Sequence, residues 1–255
     1  MQEQQTVLIT GASSGLGEGM AKEFASKGYH LCLCARRIER LEALKSEIEQ
    51  AYPKVNVYIA ALDVNQHDDV FDVFERFKSE AGAIDKIVVN AGMGKGASLG
   101  TGYFAANRAT AETNFVAALA QCEAAMGIFR AQERGHLITI ASMSALRGMP
   151  RAMTVYAATK AGLASMSEGI RADLLKTYGN NSPIKVTTLF PGYIRSEINE
   201  KVKNTPFMIG TEEGCRKMVK AIEKAPVKAY VPGWPWCVIG FLMKRLPLSW
   251  VLKLT

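Results

Sequence analysis

Thr6-Val7-Leu8-Ile9-Thr10-Gly11-Ala12-Ser13-Ser14-Gly15-Leu16-Gly17 is the stretch whose reading decides the fold. Its first five residues are β-prone and carry no polar alternation, the pattern of a strand covered on both faces. A glycine-rich turn follows, and the chain from Gly15 to Lys27 then takes up helical periodicity. Working outward, His30 to Ala35 reads as strand, Ile38 to Ala51 as helix and Val55 to Ala60 as strand, giving β-α-β-α-β. The alternation continues with a helix near Asp68 to Ala81, a strand at Lys86 to Asn90, a long helix ending near Gln132 and a strand at His136 to Ala141. Tyr156 to Tyr178 reads as helix, Ile184 to Phe190 as strand, Thr211 to Glu223 as helix, and a short strand falls near Ala229 to Val231. The expectation is a doubly wound α/β fold: a parallel sheet of about seven strands with helices on both faces.

Composition narrows the class. A chain of 255 residues with 48% hydrophobic content buries one sizeable core, and no repeat or linker divides it, so residues 1–255 are expected to form a single domain. The five cysteines (Cys32, Cys34, Cys122, Cys215, Cys237) are scattered without paired spacing, and His30, His67 and His136 stand apart, which argues against a disulfide framework or a metal site. Cys32 and Cys34, two apart on a strand, share one face and read as packing residues. Reduced thiols and a polar start, Met1 to Gln5, with no secretory pattern give a cytoplasmic expectation. The net charge of +7 is spread along the chain without a nucleic-acid motif; it suits an anionic cofactor or an anionic membrane surface.

In its strand-turn-helix context the run Thr10-Gly11-x-x-x-Gly15-x-Gly17 is what a dinucleotide-binding turn requires: glycines admit the pyrophosphate and the helix N-terminus faces its charge. Gly11, Ser13, Ser14, Gly15, Leu16 and Gly17 are the candidate contacts. The end of the second strand carries Ala35-Arg36-Arg37 and no acidic residue. A carboxylate there would repel a ribose 2′-phosphate, whereas Arg36 and Arg37 can bind one, with Ser13 as a further donor; NADP is therefore expected ahead of NAD. The alternative is that both arginines are solvated residues opening the next helix, neutralised by Glu39.

The second half of the chain supplies Tyr156 and Lys160, four apart on a helix and so on one face. An ammonium and an oxidised nicotinamide would lower a phenol from its reference value of about 10 toward a usable base. In the reductive direction the same phenol gives its proton to a carbonyl oxygen as hydride arrives. Ser142 lies at a strand's carboxyl end, where a parallel sheet presents ligand-binding groups, and Ser144 competes with it for contact with the substrate oxygen.

With the glycine turn and Tyr156-x-x-x-Lys160 both in place, the chain resembles the short-chain dehydrogenase/reductase family over roughly Thr6 to Val231. The resemblance implies a Rossmann-like fold and a catalytic set of Asn114, Ser142, Tyr156 and Lys160. It favours Ser142 over Ser144, gives Lys160 the nicotinamide ribose as a second partner, and puts Asn114 at a local helix break that holds a proton-relay water. It also implies that Asp63-Val64 contacts the adenine, that Asn90-Ala91-Gly92 serves the central sheet, and that Pro191, Gly192, Ile194 and Ser196 hold the carboxamide. Val89 stands where the family has a further Asn, and Ser196 where it has Thr. A dimer or tetramer built on the long helices covering Asn107 to Gln132 and Tyr156 to Tyr178 follows from the same resemblance. A family member that binds the cofactor without turnover is the competing class.

Residues 232–255 form an apolar extension holding all three tryptophans, Trp234, Trp236 and Trp250, with Lys244, Arg245 and Lys253 as its only charges. It is too short and interrupted to span a bilayer. Two uses remain: an in-plane membrane contact, or a cap on the site or on a sister subunit. Either favours a lipophilic carbonyl or alcohol substrate, in a pocket framed by Met93 to Tyr103, Met143 to Thr154 and Arg195 to Ile209.

Overall fold

Strand β1 (Thr6–Thr10) lies at the centre of the sheet because both its faces are apolar: Val7 and Ile9 point into one core cluster, Leu8 into the other, and all are fully buried. The computed structural model describes residues 4–94, 96–197 and 205–254. Seven parallel strands run in the order β3-β2-β1-β4-β5-β6-β7. They are β2 (His30–Ala35), β3 (Val57–Ala61), β4 (Lys86–Val89), β5 (Gly135–Ile140), β6 (Ile184–Pro191) and β7 (Lys228–Val231), besides β1. The chain winds outward from β1 to β3, then returns to place β4 on the other side of β1. This reversal opens a crevice between β1 and β4 at their carboxyl ends, the position where such sheets bind ligands.

Helices α1 (Gly15–Ser26), α2 (Ile38–Ala51) and α7 (Thr211–Lys224) cover one face. On the other lie α3 (His67–Ala81), α5 (Ala117–Gln132) and α6 (Met153–Tyr178). Phe74, Phe77 and Phe129 are fully buried there, and each such ring truncated to Ala typically costs about 3–5 kcal/mol. Cys32 and Cys34 share that cluster, and burial pushes the Cys34 thiol up to about 12, which fits packing.

The long helix expected to end near Gln132 is interrupted: α4 (Phe104–Ala111) passes into a π turn, Glu112–Val116, before α5. Helix α6 begins at Met153, three residues before Tyr156, so Tyr156 and Lys160 lie one and two turns inside a settled helix. The C-terminal extension folds as α8 (Gly233–Arg245) and α9 (Leu248–Leu254). Trp236, Met243 and Val251 turn inward onto Met143 and Phe190, forming a third core cluster beside the sheet's carboxyl edge. No helix of the described residues is long and apolar enough to cross a membrane.

Candidate active site

The register Ile9 to Val88 brings the end of β1 level with the end of β4. Thr10 joins the two: its Oγ1 accepts the N–H groups of Asn90 (3.1 Å) and Ala91 (3.0 Å), while Asn90 Nδ2 donates to the Thr10 carbonyl at 2.8 Å. The glycine turn then passes so close that a Cβ on Gly11 would lie 2.9 Å from Ala91 Cα, and one on Gly17 would lie 2.3 Å from the Gly11 carbonyl oxygen. Gly11, with φ +65°, also has a backbone that larger residues resist. The side chain of Ser14, at the N-terminus of α1, makes no capping bond to the helix, so the first-turn N–H groups of α1 lack a side-chain partner there.

A groove of about 310 Å³ starts at this turn. Its walls include Gly11, Ser13, Ser14, Gly15 and Leu16, then Arg36 and Arg37, Asp63 and Val64, and Asn90, Ala91 and Gly92. Ser142, Tyr156 and Lys160 line its far end, with Pro191, Gly192, Ile194 and Ser196 opposite. Two expected residues lie outside the wall: Gly17 packs beneath the turn, and Asn114 stands behind Gly92 and Met93. The position of the crevice at the carboxyl ends of β1 and β4, with the α1 N-terminus at one end, fits a dinucleotide.

At the reacting end, Ser142 Oγ accepts from Ser144 N–H at 3.2 Å and from Ser144 O–H at 2.9 Å. With its lone pairs so engaged, the Ser142 proton is directed forward, and Tyr156 shares a hydrogen bond with Ser142. Ser144 thus backs Ser142 instead of replacing it. Lys160 is buried, donates to the Ile140 carbonyl at 2.8 Å, and holds its ammonium 5.9 Å from the centre of the Tyr156 ring. Burial lowers Lys160 to about 8. Burial also raises the Tyr156 phenol above its usual value, against the lowering effect of the Ser142 hydrogen bond. The depressed phenol expected from sequence is therefore not produced by the protein's own groups: desolvation outweighs them.

Asn114 is fully buried in the π turn, where the helical ladder is disrupted. Its Oδ1 accepts the Met93 N–H and its Nδ2 donates to the Met93 carbonyl, both at 2.8 Å, with Thr159 Oγ1 a further 3.4 Å contact. Asn114 and Lys160 flank Gly92, where a Cβ would fall 3.1 Å from Asn114 Oδ1 and 3.4 Å from Lys160 Nζ.

Several groove residues were not singled out from sequence. Asn65 bonds Asp63 Oδ1 through its N–H (3.1 Å) and Nδ2 (2.9 Å), and Thr113 Oγ1 donates to Asn65 Oδ1 at 3.2 Å. The Asp63-x-Asn65 spacing was a readable turn signal. Glu197 joins the wall beside Arg37, and nothing local marked it. Gly192 lies under the indole of Trp236, where a Cβ would come 2.1 Å from the ring, so α8 bears directly on the segment after β6.

Known proteins share this fold and much of this sequence. The family model of the short chain dehydrogenase matches residues 5–206. An uncharacterised oxidoreductase of Mycobacterium tuberculosis (strain H37Rv) is 48% identical over 244 residues, 96% of this chain and 94% of the relative. The 11-beta-hydroxysteroid dehydrogenase 1A of Arabidopsis thaliana is 31% identical over 261 residues, 95% of this chain and 72% of the relative. Among solved structures, a short chain dehydrogenase/reductase from Burkholderia phymatum in complex with NAD shares the fold, with a TM-score of 0.83 at 19% identity, covering 99% of this chain and 95% of that one.

Proposed function

The chain belongs to the short-chain dehydrogenase family, and on that premise we propose that it is an NADP(H)-dependent oxidoreductase interconverting a lipophilic ketone or aldehyde and its alcohol. The observation that carries this reading is the convergence of Tyr156, Lys160 and Ser142 at one end of a groove whose other end meets Arg37, Ser13 and Ser14. A nicotinamide, when bound, supplies or accepts the hydride. Gly11, Gly15 and the α1 N-terminus would hold the pyrophosphate; Arg36 and Arg37, with no acidic residue at the end of β2, favour a 2′-phosphate on the adenosine ribose. Asp63 and Val64 would contact the adenine, Pro191, Gly192, Ile194 and Ser196 the carboxamide.

In carbonyl reduction Ser142 donates a hydrogen bond to the substrate oxygen and Tyr156 transfers its proton to the same atom. Lys160, still charged at neutral pH, stabilises the phenolate left on Tyr156 and would hydrogen-bond the nicotinamide ribose, while the lost proton is restored from solvent. Asn114, by holding Met93 and flanking Gly92, keeps the path behind Lys160 open for a water relay.

The lipophilic substrate is supported by the third core cluster, in which Met143, Leu146, Met149, Tyr193 and Trp236 gather beside the reacting end. Exposed Leu99, Tyr103 and Phe207 on the framing segments, of which residues 95 and 198–204 lie outside the described residues, point the same way, as does the hydroxysteroid named for the Arabidopsis relative. Exposed Phe115, Val116, Leu119 and Leu175 support a homodimer or homotetramer. Five unpaired cysteines suit the cytoplasm. Exposed Trp234 and Trp250 on α8 and α9, with Lys244 and Arg245 closing α8, favour peripheral contact with an anionic membrane.

The test is oxidation of NADPH and NADH by the protein and by Tyr156→Phe, with aldehydes and ketones graded by chain length and ring size. NADPH-selective turnover that falls about 10²- to 10⁴-fold in Tyr156→Phe, with cofactor binding retained, is expected. NADPH binding without turnover on any carbonyl would favour a non-catalytic cofactor sensor.

A further inference from the structure

Arg37 and Arg40 stand at the N-terminal end of α2, where the helix dipole disfavours cations, so the pair calls for an anion. The structure supplies one from far along the chain. Glu197, in the segment after β6, sets Oε2 3.1 Å from Arg37 Nη2 and Oε1 2.7 Å from Arg40 Nη1. Arg37 simultaneously donates to Ser14 Oγ at 2.7 Å and to Ser13 Oγ at 3.3 Å, and Ser14 also hydrogen-bonds Glu197. One carboxylate therefore collects two guanidinium groups and a hydroxyl from the glycine turn. Arg37, Ser13, Ser14 and Glu197 all line the groove. This is the ligand set that a phosphate on the adenosine ribose would need.

We propose that Glu197 is the chain's own anion in the 2′-phosphate seat, which the phosphate of NADP(H) must displace. The inference rests on the NADP(H) reading above and adds a residue that sets cofactor selectivity. A phosphate carries about −1.5 to −2 charge against −1 for the carboxylate and offers three acceptor oxygens, so it wins the arginines once it arrives. A cofactor without that phosphate leaves the carboxylate in place. Both ion pairs are roughly half exposed, a setting in which each is worth little, so the carboxylate can be dislodged without unfolding anything around it. Displacement also unties α2 from the segment that frames the substrate pocket, so arrival of the phosphate is communicated to residues 195–197.

The test is equilibrium binding of adenosine 2′,5′-bisphosphate and adenosine 5′-monophosphate to the intact protein and to Glu197→Gln. Two exposed ion pairs span about three- to tenfold in affinity. Glu197→Gln is therefore expected to bind the bisphosphate about three- to tenfold more tightly, with the monophosphate changed by less than about twofold. Adding Arg37→Gln to that variant should abolish the gain. An unchanged or weakened preference for the bisphosphate in Glu197→Gln overturns the proposal, as does a gain that survives Arg37→Gln. If the intact protein and Glu197→Gln both bind the two nucleotides alike, the proposal falls together with the NADP(H) reading; a bisphosphate preference that is present but insensitive to Glu197 overturns the proposal alone.

Discussion

Lys160 is a single buried group that would set the working pH range of the proposed reaction. Its ammonium donates to the Ile140 carbonyl at 2.8 Å, and burial lowers it to about 8. Below that value Lys160 carries its proton; above it the amine is neutral and, in the proposed reaction, would no longer support proton delivery through Tyr156. Carbonyl reduction is therefore expected to decline with one ionisation as pH rises through about 8, read as single-turnover rates at saturating NADPH. A rate that stays flat through about pH 9.5 would disconnect Lys160 from the proton. The same scale explains the division of labour between the two serines. Ser144 gives both its donors to Ser142, so only Ser142 has a proton left to aim at substrate.

At the level of elements, β5 carries a titratable load that the site does not use. His136 is buried at its second position, with Nε2 2.8 Å from Thr187 Oγ1 on β6. Burial, then the neighbouring charges of Lys86 and Lys185, lowers its pKa to about 3. The unfolded chain thus binds a proton between about pH 6.5 and pH 3 that the folded one refuses, so stability contributed by neutral His136 is full above that window and drains as pH falls through it. One such proton corresponds to a slope of up to about 1.4 kcal/mol per pH unit. Urea unfolding of His136→Asn should show a shallower acid slope than the parent over this window; parallel slopes would mean another group governs it. The π turn at Glu112–Val116 belongs to the same scale, since the extra residue rotates Asn114 inward onto Met93 instead of leaving it on the helix surface.

Across the whole molecule, the C-terminal extension presents two faces of opposite character. Trp236 is 5% exposed and closes over Gly192, whereas Trp234 is 75% and Trp250 61% exposed. Phe241 lies outward too, with Arg245 stacked on its ring at 3.9 Å. Cutting the chain after Pro232 would remove Trp236, Met243 and Val251 from the third core cluster, so a truncation reports on folding as much as on membranes. Trp234→Ser, Phe241→Ser and Trp250→Ser together touch only the outer face. This triple variant is expected to keep its melting temperature within about 3 °C and lose flotation with phosphatidylserine-containing vesicles. Flotation equal to that of the parent would rule out the outer face as the membrane contact.

The sequence by itself determined the alternation of seven strands with covering helices and the pairing of a glycine turn with Tyr156 and Lys160. Those features are local: two-faced apolar runs, a turn that tolerates only glycine, and a four-residue helical spacing each appear within a few neighbours. Cofactor preference could be argued from Arg36 and Arg37 for the same reason. Only the tertiary structure decided that Glu197 meets Arg37 and Arg40, which lie 160 and 157 residues away. It alone turned Trp236 inward and Trp234 outward, two residues apart in one apolar run. It also raised the Tyr156 phenol where charge alone suggested a fall. Ion pairing, burial and desolvation depend on what the fold brings near, and no spacing along the chain records that.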